Sequence, residues 1–246
     1  MPTNPVLDKL QAGEPAIGGW ISFASSYIAE MMGHAGYDWV GLDHEHGVIN
    51  RESLQSMIQA LHSTPAVPIV RLPEASELAI KQALDMGARG VIAPMVKDAE
   101  TAALVVGASR YPPDGFRSVG AGRWRFVFDG THPPTVNPQI LAAVMIEHVE
   151  SVNNIDKILA VEGLDSIFIG PTDLGASLGY KSDEVADAIR QTLEACRKAR
   201  VPAGIHVMTA DLANERIGQG FQFIAVCEAA RLAAEAAARS LEQIRR

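Results

Sequence analysis

Two acidic side chains directly follow apolar segments that have the pattern of buried β-strands. Glu147 follows residues 142–146, and Asp173 lies in a short loop after residues 166–170. If both segments are strands of one parallel barrel, these carboxylates meet at its C-terminal mouth, where barrel enzymes place their catalytic groups. Carboxylate oxygens are hard ligands, so the pair could hold a divalent cation and leave coordination positions open for a substrate.

Other ionisable groups follow the second and third apolar segments. Residues 39–43 lead into His44, Glu45 and His46, which we expect to face solvent, a metal or one another, because burying them unpaired is costly. A solvated loop is the alternative for this triplet. Arg71 lies near the end of residues 67–72 and could clamp a carboxylate or stabilise a developing oxyanion. Its alternative role is a structural ion pair with a neighbouring acid.

Asp85 and the remaining histidines are less informative. Asp85 stands near the end of a helix-like segment, where an acid opposes the helix dipole and needs another partner. Orienting a histidine is one possible role, and an exposed helix end is the other. Four histidines show no spacing typical of metal ligands: His34, His62, His132 and His206. We expect them to be structural or at the surface, and His206 is the one most open to a role in the site because it ends a strand.

Length and composition indicate one globular domain over residues 1–246. The 246 residues are close to the roughly 250 of a single (β/α)8 barrel. The net charge of −8 argues against a nucleic-acid or anionic-membrane surface. No run approaches the roughly 18 apolar residues of a membrane span, and the first five residues lack the regions of a signal peptide. Cys196 and Cys227 are expected to be buried thiols, so we predict a cytoplasmic protein.

Strand-like and helix-like segments alternate along the chain, which predicts βαβ units and a parallel sheet. The predicted strands are residues 16–21, 39–43, 67–72, 90–94, 142–146, 166–170, 203–206 and 223–227. Helical periodicity is clearest in residues 54–61, 78–86, 99–106 and 184–200. A glycine recurs before four strands, at Gly36, Gly87, Gly163 and Gly220, as expected where a helix ends in a left-handed turn. A (β/α)8 barrel is favoured, and a doubly wound open sheet is the alternative.

Two segments interrupt this alternation. Residues 109–137 form a long, proline-rich stretch that contains several arginines, and a loop of this length predicts a lid, a binding loop or an interface. An irregular surface excursion is the alternative. Residues 228–246 are alanine-rich and amphipathic, and we expect this last helix to close the barrel or to pack on another subunit.

Six motifs, in order along the chain, resemble those of the HpcH/HpaI family of class II pyruvate aldolases, from about Gly18 to Val226. They are Asp43-His44-Glu45-His46-Gly47, Val70-Arg71, Leu84-Asp85-Met86-Gly87, Tyr111-Pro112-Pro113-Asp114-Gly115, Ile146-Glu147, and Phe168-Ile169-Gly170-Pro171-Thr172-Asp173-Leu174. The resemblance implies a modified TIM barrel whose last helix is exchanged between subunits. It also implies a homo-oligomer, commonly a hexamer built as a trimer of dimers.

The resemblance further implies reversible cleavage of 4-hydroxy-2-oxo acids to pyruvate and an aldehyde through a metal-stabilised pyruvate enolate. The residues matching Glu147 and Asp173 would hold Mg2+, Mn2+ or Co2+, and the backbone N–H groups of Thr172 and Asp173 would bind the pyruvate carboxylate. By the same resemblance, Arg71 would stabilise the enolate oxygen. His46 would act as or assist the general base, with Asp85 polarising it.

Positive charge at the keto oxygen lowers the cost of deprotonating a carbon acid. None of the predicted strand ends carries lysine, which disfavours a Schiff-base aldolase.

Three departures from the family pattern bear on the substrate. Met145, beside the pyruvate seat, stands where glutamine is frequent, so a hydrogen bond to substrate would be missing or replaced by water. Residues 116–120 read Phe-Arg-Ser-Val-Gly rather than Arg-Arg-Gly-Val-Gly, which predicts a different aldehyde specificity. Residues 227–229 read Cys-Glu-Ala rather than Gly-Ser/Thr-Asp. The resemblance therefore does not predict the conformation of the turn after the eighth strand or its contacts.

Two other functions are consistent with these residues. One is a metal-dependent hydrolase with His44 and His46 as metal ligands. The other is a noncatalytic 2-oxo-acid-binding protein in which the departures at Met145 and the eighth turn have removed catalysis. A cation held by two carboxylates favours the aldolase, whereas one held by a histidine cluster favours the hydrolase.

Overall fold

The eight predicted strands form a closed parallel barrel. The computed structural model describes residues 4–120, 122–128 and 133–244. The strands follow one another around the barrel in chain order, and β8 pairs with β1. They are β1 Ala16–Ile21, β2 Trp39–Asp43, β3 Val67–Arg71, β4 Gly90–Ala93, β5 Leu141–Ile146, β6 Ser166–Ile169, β7 Ala203–Val207 and β8 Phe223–Val226. The predicted (β/α)8 fold is confirmed, and closure of the sheet excludes the open, doubly wound alternative.

Helices connect the strands, as the alternating pattern predicts. They are α1 Pro5–Ala12, α2 Ser26–His34, α3 Arg51–Leu61, α4 Glu77–Asp85, α5 Ala99–Ser109, α6 Trp124–Val127, α7 Val149–Asn153, α8 Ile155–Leu159, α9 Pro171–Ser177, α10 Ser182–Ala199, α11 Ala210–Gly218 and α12 Ala229–Glu242. Helix α3 begins before its apolar periodicity does, because Asn50 and Ser53 form a capping box at its polar first turn. The four glycines that precede strands all have positive φ, as predicted.

Aromatic side chains fill the barrel interior and leave its C-terminal mouth as the open end. The rings of Trp39 and Phe223 lie 4.4 Å apart, and Trp20 stacks on Phe168 at 5.9 Å. A Cβ atom at Gly18 would overlap the Trp39 ring, so this strand position requires glycine. Helix α1, which the strand pattern did not predict, packs Val6, Leu7 and Leu10 into the same cluster. The interior is therefore a packed core rather than a channel.

Residues 109–137 contain ordered structure within the described part of the segment. They include α6 and a 3-10 helix, Pro133–Gln139, while Ala121 and residues 129–132 lie outside the described residues. Asn137 ties the two ends together, because its amide accepts from the Tyr111 N–H at 2.7 Å and donates to the Tyr111 carbonyl at 2.8 Å. Tyr111 and Trp124 are buried. An irregular surface excursion therefore does not describe this segment, and its role as a lid or interface stays a prediction.

Helix α12 lies largely on the surface of the single chain. Of its residues, all within the described range, Ala229 is the buried one, and Leu232 and Leu241 are exposed. Such an apolar face is consistent with the expected contact to another subunit, but exchange of this helix stays a prediction.

Cys196 and Cys227 are both free and buried, as expected. Burial raises the pKa of Cys196 to about 12, so its thiol stays protonated near neutral pH. Within residues 4–120, 122–128 and 133–244, no helix has both the length and the apolar character needed to cross a bilayer.

Candidate active site

Most of the predicted site residues come from the C-terminal ends of the strands and line one cavity of about 330 Å3, whereas Glu147 and Asp85 are not among its lining residues. Its walls include Trp20, Asp43, His46, Arg71, Met145, Phe168, Gly170, Thr172, Asp173, His206, Glu228 and Arg231. The register of the sheet explains this convergence, because Asp43 pairs with Arg71 across β2 and β3, and Ile146 pairs with Ile169 across β5 and β6. The second pairing brings Glu147 and the loop that carries Asp173 to the same edge of the barrel.

Glu147 is a buried carboxylate that accepts one hydrogen bond from the residues that the structure describes. It is 2% exposed, and its Oε1 accepts the N–H of Met95 at 2.7 Å. Burial raises the pKa of Glu147 to about 7, and the nearby charges of Glu45 and Asp173 act in the same direction. The Met95 hydrogen bond and the positive charge of Arg71 oppose this rise. A bound cation would supply the charge compensation that this carboxylate lacks.

The amide that holds Glu147 belongs to a residue with an unusual backbone conformation. Met95 has φ 53°, in the left-handed region, which costs a non-glycine residue roughly 1–3 kcal/mol. This conformation aims the Met95 N–H at the carboxylate. The sequence did not reveal this contact, because a backbone N–H carries no residue-type signal.

The raised pKa of Glu147 predicts a pH-dependent stability in the absence of divalent cations. Between about pH 4.5 and 7 the folded protein holds a proton that the unfolded chain releases, so this group's contribution falls as pH rises. We expect the free energy of unfolding in EDTA to drop by about 3 kcal/mol across that window. Urea unfolding at several pH values should show this decrease in the native protein and not in Glu147→Gln. Parallel curves for the two proteins would contradict it.

Asp173 lies in the first turn of α9, whose N-terminus opens onto the cavity. Pro171 occupies the start of the helix, and no described side chain caps it. The N–H groups of Thr172 and Asp173 have no carbonyl of their own helix to bind, which makes them available to an anion. A Cβ atom at Gly170 would lie 2.6 Å from Glu147 Oε2, so glycine is required where the loop passes the carboxylate.

Arg71 is held in place by acids that follow β2. Its Nε donates to Asp43 Oδ1 at 2.9 Å and its Nη2 donates to Asp43 Oδ2 at 2.5 Å, while Nη1 lies 3.2 Å from Glu45 Oε2. The guanidinium also lies over the Trp20 ring at 5.3 Å. Although burial acts the other way, Arg71 holds the pKa of Asp43 below its usual range. The ion-pair alternative for Arg71 is therefore correct, and the same residue also lines the cavity.

Glu45 is a site residue to which the sequence assigned no separate role. Its Oε2 is buried and has no hydrogen-bond partner among the described residues, although it lies close to Arg71. Burial raises the pKa of Glu45, and the negative charges of Asp43 and Asp173 add to this effect. The charge of Glu45 therefore acts on Glu147, and the Glu45 carboxylate fixes one side of the Arg71 guanidinium.

The two histidines after β2 point to different places. His46 lines the cavity with a 65% exposed side chain, and its N–H donates to Asp43 Oδ1 at 3.1 Å. His44 lines a separate, smaller cavity beside Pro73 and Glu74, and burial lowers the pKa of its ring. In the part of the chain that the structure describes, no group of three or more histidine, cysteine or acidic side chains could hold a metal. This arrangement does not support the histidine ligand set of the hydrolase alternative.

Asp85 pairs with an arginine of the long segment. Its Oδ1 accepts from Arg117 Nη2 at 2.7 Å, and the Arg117 guanidinium stacks over the Tyr111 ring at 4.5 Å. Asp85 borders a surface cavity between α3 and α4 rather than the cavity that holds His46. Within one chain Asp85 has the partner that a helix-end acid needs, and its polarisation of His46 stays a prediction.

A family model described as HpcH/HpaI aldolase/citrate lyase matches residues 16–236. The chain belongs to this family.

Curated relatives agree with the match. A 2-keto-3-deoxy-L-rhamnonate aldolase of Escherichia coli strain UMN026 is 39% identical over 233 residues, which cover 91% of this chain and 86% of the relative. A 4-hydroxy-2-oxo-heptane-1,7-dioate aldolase of Klebsiella pneumoniae is 39% identical over 232 residues, 91% of this chain and 87% of the relative. A crystal structure of an HpcH/HpaI aldolase/citrate lyase family protein from Burkholderia cenocepacia J2315 superposes with a TM-score of 0.94, at 32% identity, covering 99% and 100% of the two chains.

These comparisons confirm the predicted activity. The protein is a class II pyruvate aldolase and therefore a carbon–carbon lyase. The class is metal-dependent, which agrees with the predicted need for a divalent cation. The hydrolase and noncatalytic alternatives are not favoured.

The family departures have structural consequences at the barrel mouth. Met145, where the resemblance led us to expect glutamine, lines the cavity with an apolar side chain. Cys227 has φ 61°, a left-handed conformation that glycine adopts more readily, and its Sγ lies 3.3 Å from Tyr37 Oη. In residues 116–120, Arg117 holds Asp85, whereas Phe116 and Val119 are exposed.

Of the other histidines, His62 has a structural contact and His206 lines the cavity. His62 Nε2 donates to the Gly87 carbonyl at 2.8 Å, as expected for a structural residue. His206 lines the cavity and lies 5.5 Å from the Trp20 ring. Burial lowers the pKa of His206, so its ring is neutral near pH 7. The place of His206 near the end of β7 was the sequence signal that pointed to a role in the site. His132 lies outside the described residues.

Proposed function

We propose that this enzyme reversibly cleaves 4-hydroxy-2-oxo acids to pyruvate and an aldehyde, using one cavity at the barrel mouth. The observation that supports this proposal is that Asp173 and Arg71 line this cavity, while Glu147 lies close enough for the charges of both to act on its pKa. Two acids beside one arginine provide ligands for a cation and a counter-charge for an oxyanion. This combination suits the chemistry of an α-keto acid.

Glu147 and Asp173 are the proposed ligands of the divalent cation, which we infer to be Mg2+, Mn2+ or Co2+. The site fits such an ion, because Glu147 is desolvated, carries an elevated pKa and lies close enough to Asp173 for their charges to repel. Two carboxylates leave positions for the keto and carboxylate oxygens of pyruvate. When bound, the cation supplies positive charge beside the keto oxygen and orients the substrate.

The start of α9 is the proposed seat of the pyruvate carboxylate. The N–H groups of Thr172 and Asp173 point out of the first turn, and the helix dipole favours an anion there. Met145 and Phe168 form apolar walls of the cavity. These walls exclude water and favour a fixed orientation of the pyruvate methyl group.

Arg71 is the proposed partner of the keto oxygen, where negative charge develops when the methyl group loses a proton. Asp43 binds Nε and Nη2 and so fixes the plane of the guanidinium. A preorganised donor of this kind stabilises charge without a cost of reorganisation during the reaction.

His46 is the proposed general base or its assistant. It lies on the cavity wall and is largely exposed, so it can exchange protons with solvent. We retain Asp85 as a proposed positioning residue for His46, although in the single chain its carboxylate is bound to Arg117.

The protein is also proposed to act as a homo-oligomer, a hexamer arranged as a trimer of dimers. The exposed Leu232 and Leu241 of α12 are consistent with burial against another subunit. Light scattering after gel filtration should give six times the 26.3 kDa mass of one chain.

Proton exchange at the pyruvate methyl group tests the proposed chemistry without requiring the natural aldehyde. In deuterated buffer, the enzyme with a divalent cation should exchange these protons, and EDTA should stop the exchange. Readdition of Mg2+, Mn2+ or Co2+ should restore it. Exchange that persists unchanged in EDTA would overturn the mechanism, whereas metal-dependent exchange supports it.

A further inference from the structure

One end of the cavity carries charged groups that the proposed pyruvate chemistry does not use. Ser22 follows β1, His206 lies at the end of β7, and Glu228 and Arg231 follow β8. Because the strands run in order around the barrel, β8 and β1 lie across the mouth from β4 and β5, which lead to Met95 and Glu147. An aldehyde that adds to pyruvate would extend towards this end.

Three hydrogen bonds from described residues hold the Glu228 carboxylate in place. Its Oε1 accepts from Ser22 Oγ at 2.7 Å and from the Ala230 N–H at 3.1 Å, and its Oε2 accepts from the Arg231 N–H at 2.9 Å. Although its partial burial acts the other way, these bonds hold the pKa of Glu228 below its usual range. Glu228 therefore anchors the start of α12 to β1 and fixes the position of the first turn.

Arg231 lies in that first turn of α12, and only its Nε forms a side-chain hydrogen bond with a described residue. Its Nε donates to Glu235 Oε1 at 2.6 Å, a surface contact one turn along the helix. Neither Nη1 nor Nη2 forms a hydrogen bond with any residue that the structure describes. The two nitrogens form a fork that matches both oxygens of a carboxylate.

We propose that Arg231 is a specificity-determining residue that binds a terminal carboxylate on the aldehyde. This inference rests on the proposed function of the same cavity. The substrate class is an aldehyde with an anionic end, so that the aldol product is a dicarboxylate rather than a neutral-ended sugar acid. The cavity volume of about 330 Å3 is at the small end of the range of roughly 300–1,000 Å3 for small-molecule sites.

Charge in the rest of the cavity makes this arginine selective. Arg71 is paired with Asp43 and Glu45, and burial lowers the pKa of His206. Arg231 is therefore the cation at this end whose Nη1 and Nη2 form no hydrogen bond with a described residue. A neutral hydroxylated aldehyde could accept only weaker hydrogen bonds from the same fork.

The test compares two aldehydes of similar size with pyruvate as the common partner. The probes are 4-oxobutanoate, which has a terminal carboxylate, and butanal, which does not. In the native enzyme, kcat/KM should be higher for 4-oxobutanoate. In Arg231→Gln, the ratio of the two kcat/KM values should fall about tenfold, mainly through KM for 4-oxobutanoate, because a charged hydrogen bond at a partly exposed site is lost. Arg231→Lys should restore part of the ratio.

Arg239→Gln is the matched control. Arg239 lies on the same helix and also approaches Glu235, at 3.9 Å, but it does not line the cavity. Its substitution should leave the ratio unchanged. A native preference for butanal, or an equal loss for both aldehydes in Arg231→Gln, would overturn the inference. Metal-dependent proton exchange of pyruvate by the native enzyme separates the two proposals, because its absence would contradict the proposed function itself.

Discussion

Replacement of Glu147 by glutamine should abolish measurable binding of divalent cations and lower kcat/KM about 1,000-fold. Glutamine keeps the volume of the side chain and can still accept the Met95 N–H through its amide oxygen. It removes the negative charge and one of two anionic ligands, which is worth several kcal/mol of charge stabilisation in the reaction. Isothermal titration with Mg2+, Mn2+ and Co2+ measures binding, and pyruvate proton exchange measures the chemistry. Asp173→Asn should behave in the same way.

Glu150→Gln provides the control for this experiment. Glu150 lies three residues further on in α7, with a 58% exposed side chain that approaches Lys97 and His148. Its substitution removes the same charge from the same region and should change neither cation binding nor exchange. Retention of cation binding in Glu147→Gln together with its loss in Glu45→Gln would assign the ligand role to Glu45 instead.

Replacement of Arg71 by methionine should damage both stability and rate, and a second substitution should separate the two effects. The single change leaves Asp43 buried without its cation, which costs about 3–5 kcal/mol of unfolding free energy. It also removes the donor proposed for the keto oxygen, which should lower kcat about 100- to 1,000-fold. The double variant Asp43→Asn/Arg71→Met removes the stranded charge. It should recover most of the stability and none of the rate, measured by urea unfolding and by proton exchange.

Arg110 offers a matched buried ion pair away from the cavity. Its Nη2 lies 2.7 Å from Asp165 Oδ2, and its side chain is 10% exposed, the same as that of Arg71. Arg110→Met should destabilise the protein, while the folded fraction keeps its rate of proton exchange. Recovery of the rate in the Asp43→Asn/Arg71→Met double variant would show that Arg71 acts on structure alone.

The sequence predicted the barrel well because its signals are local. Each strand is a short apolar run after a turn, and the observed strands either match the predicted bounds or differ from them by one residue at one end. Glu147 and Asp173 could be paired for the same reason, since the C-terminal ends of neighbouring parallel strands lie at one edge of a sheet. Helix α1 escaped prediction because its eight residues are too few to show a clear period.

Contacts between distant parts of the chain could not be predicted in this way. The sequence suggested that Arg71 pairs with an acid but did not identify which one. The register of β2 and β3 places Asp43 opposite Arg71 and so determines the partner. The sequence also did not identify Arg117, in the long segment, as the partner of Asp85 within the chain. The Met95 N–H that holds Glu147 has no signature in the sequence at all.

The sequence by itself therefore determined the (β/α)8 fold and the residue types at each strand end. Periodicity and turn chemistry depend on neighbours along the chain, and the sequence states these directly. Only the tertiary structure decided which acids hold Arg71, that Glu147 is desolvated, and that Arg231 faces the cavity with two free donors. Burial and pairing depend on distances between residues far apart in sequence, and folding alone sets those distances.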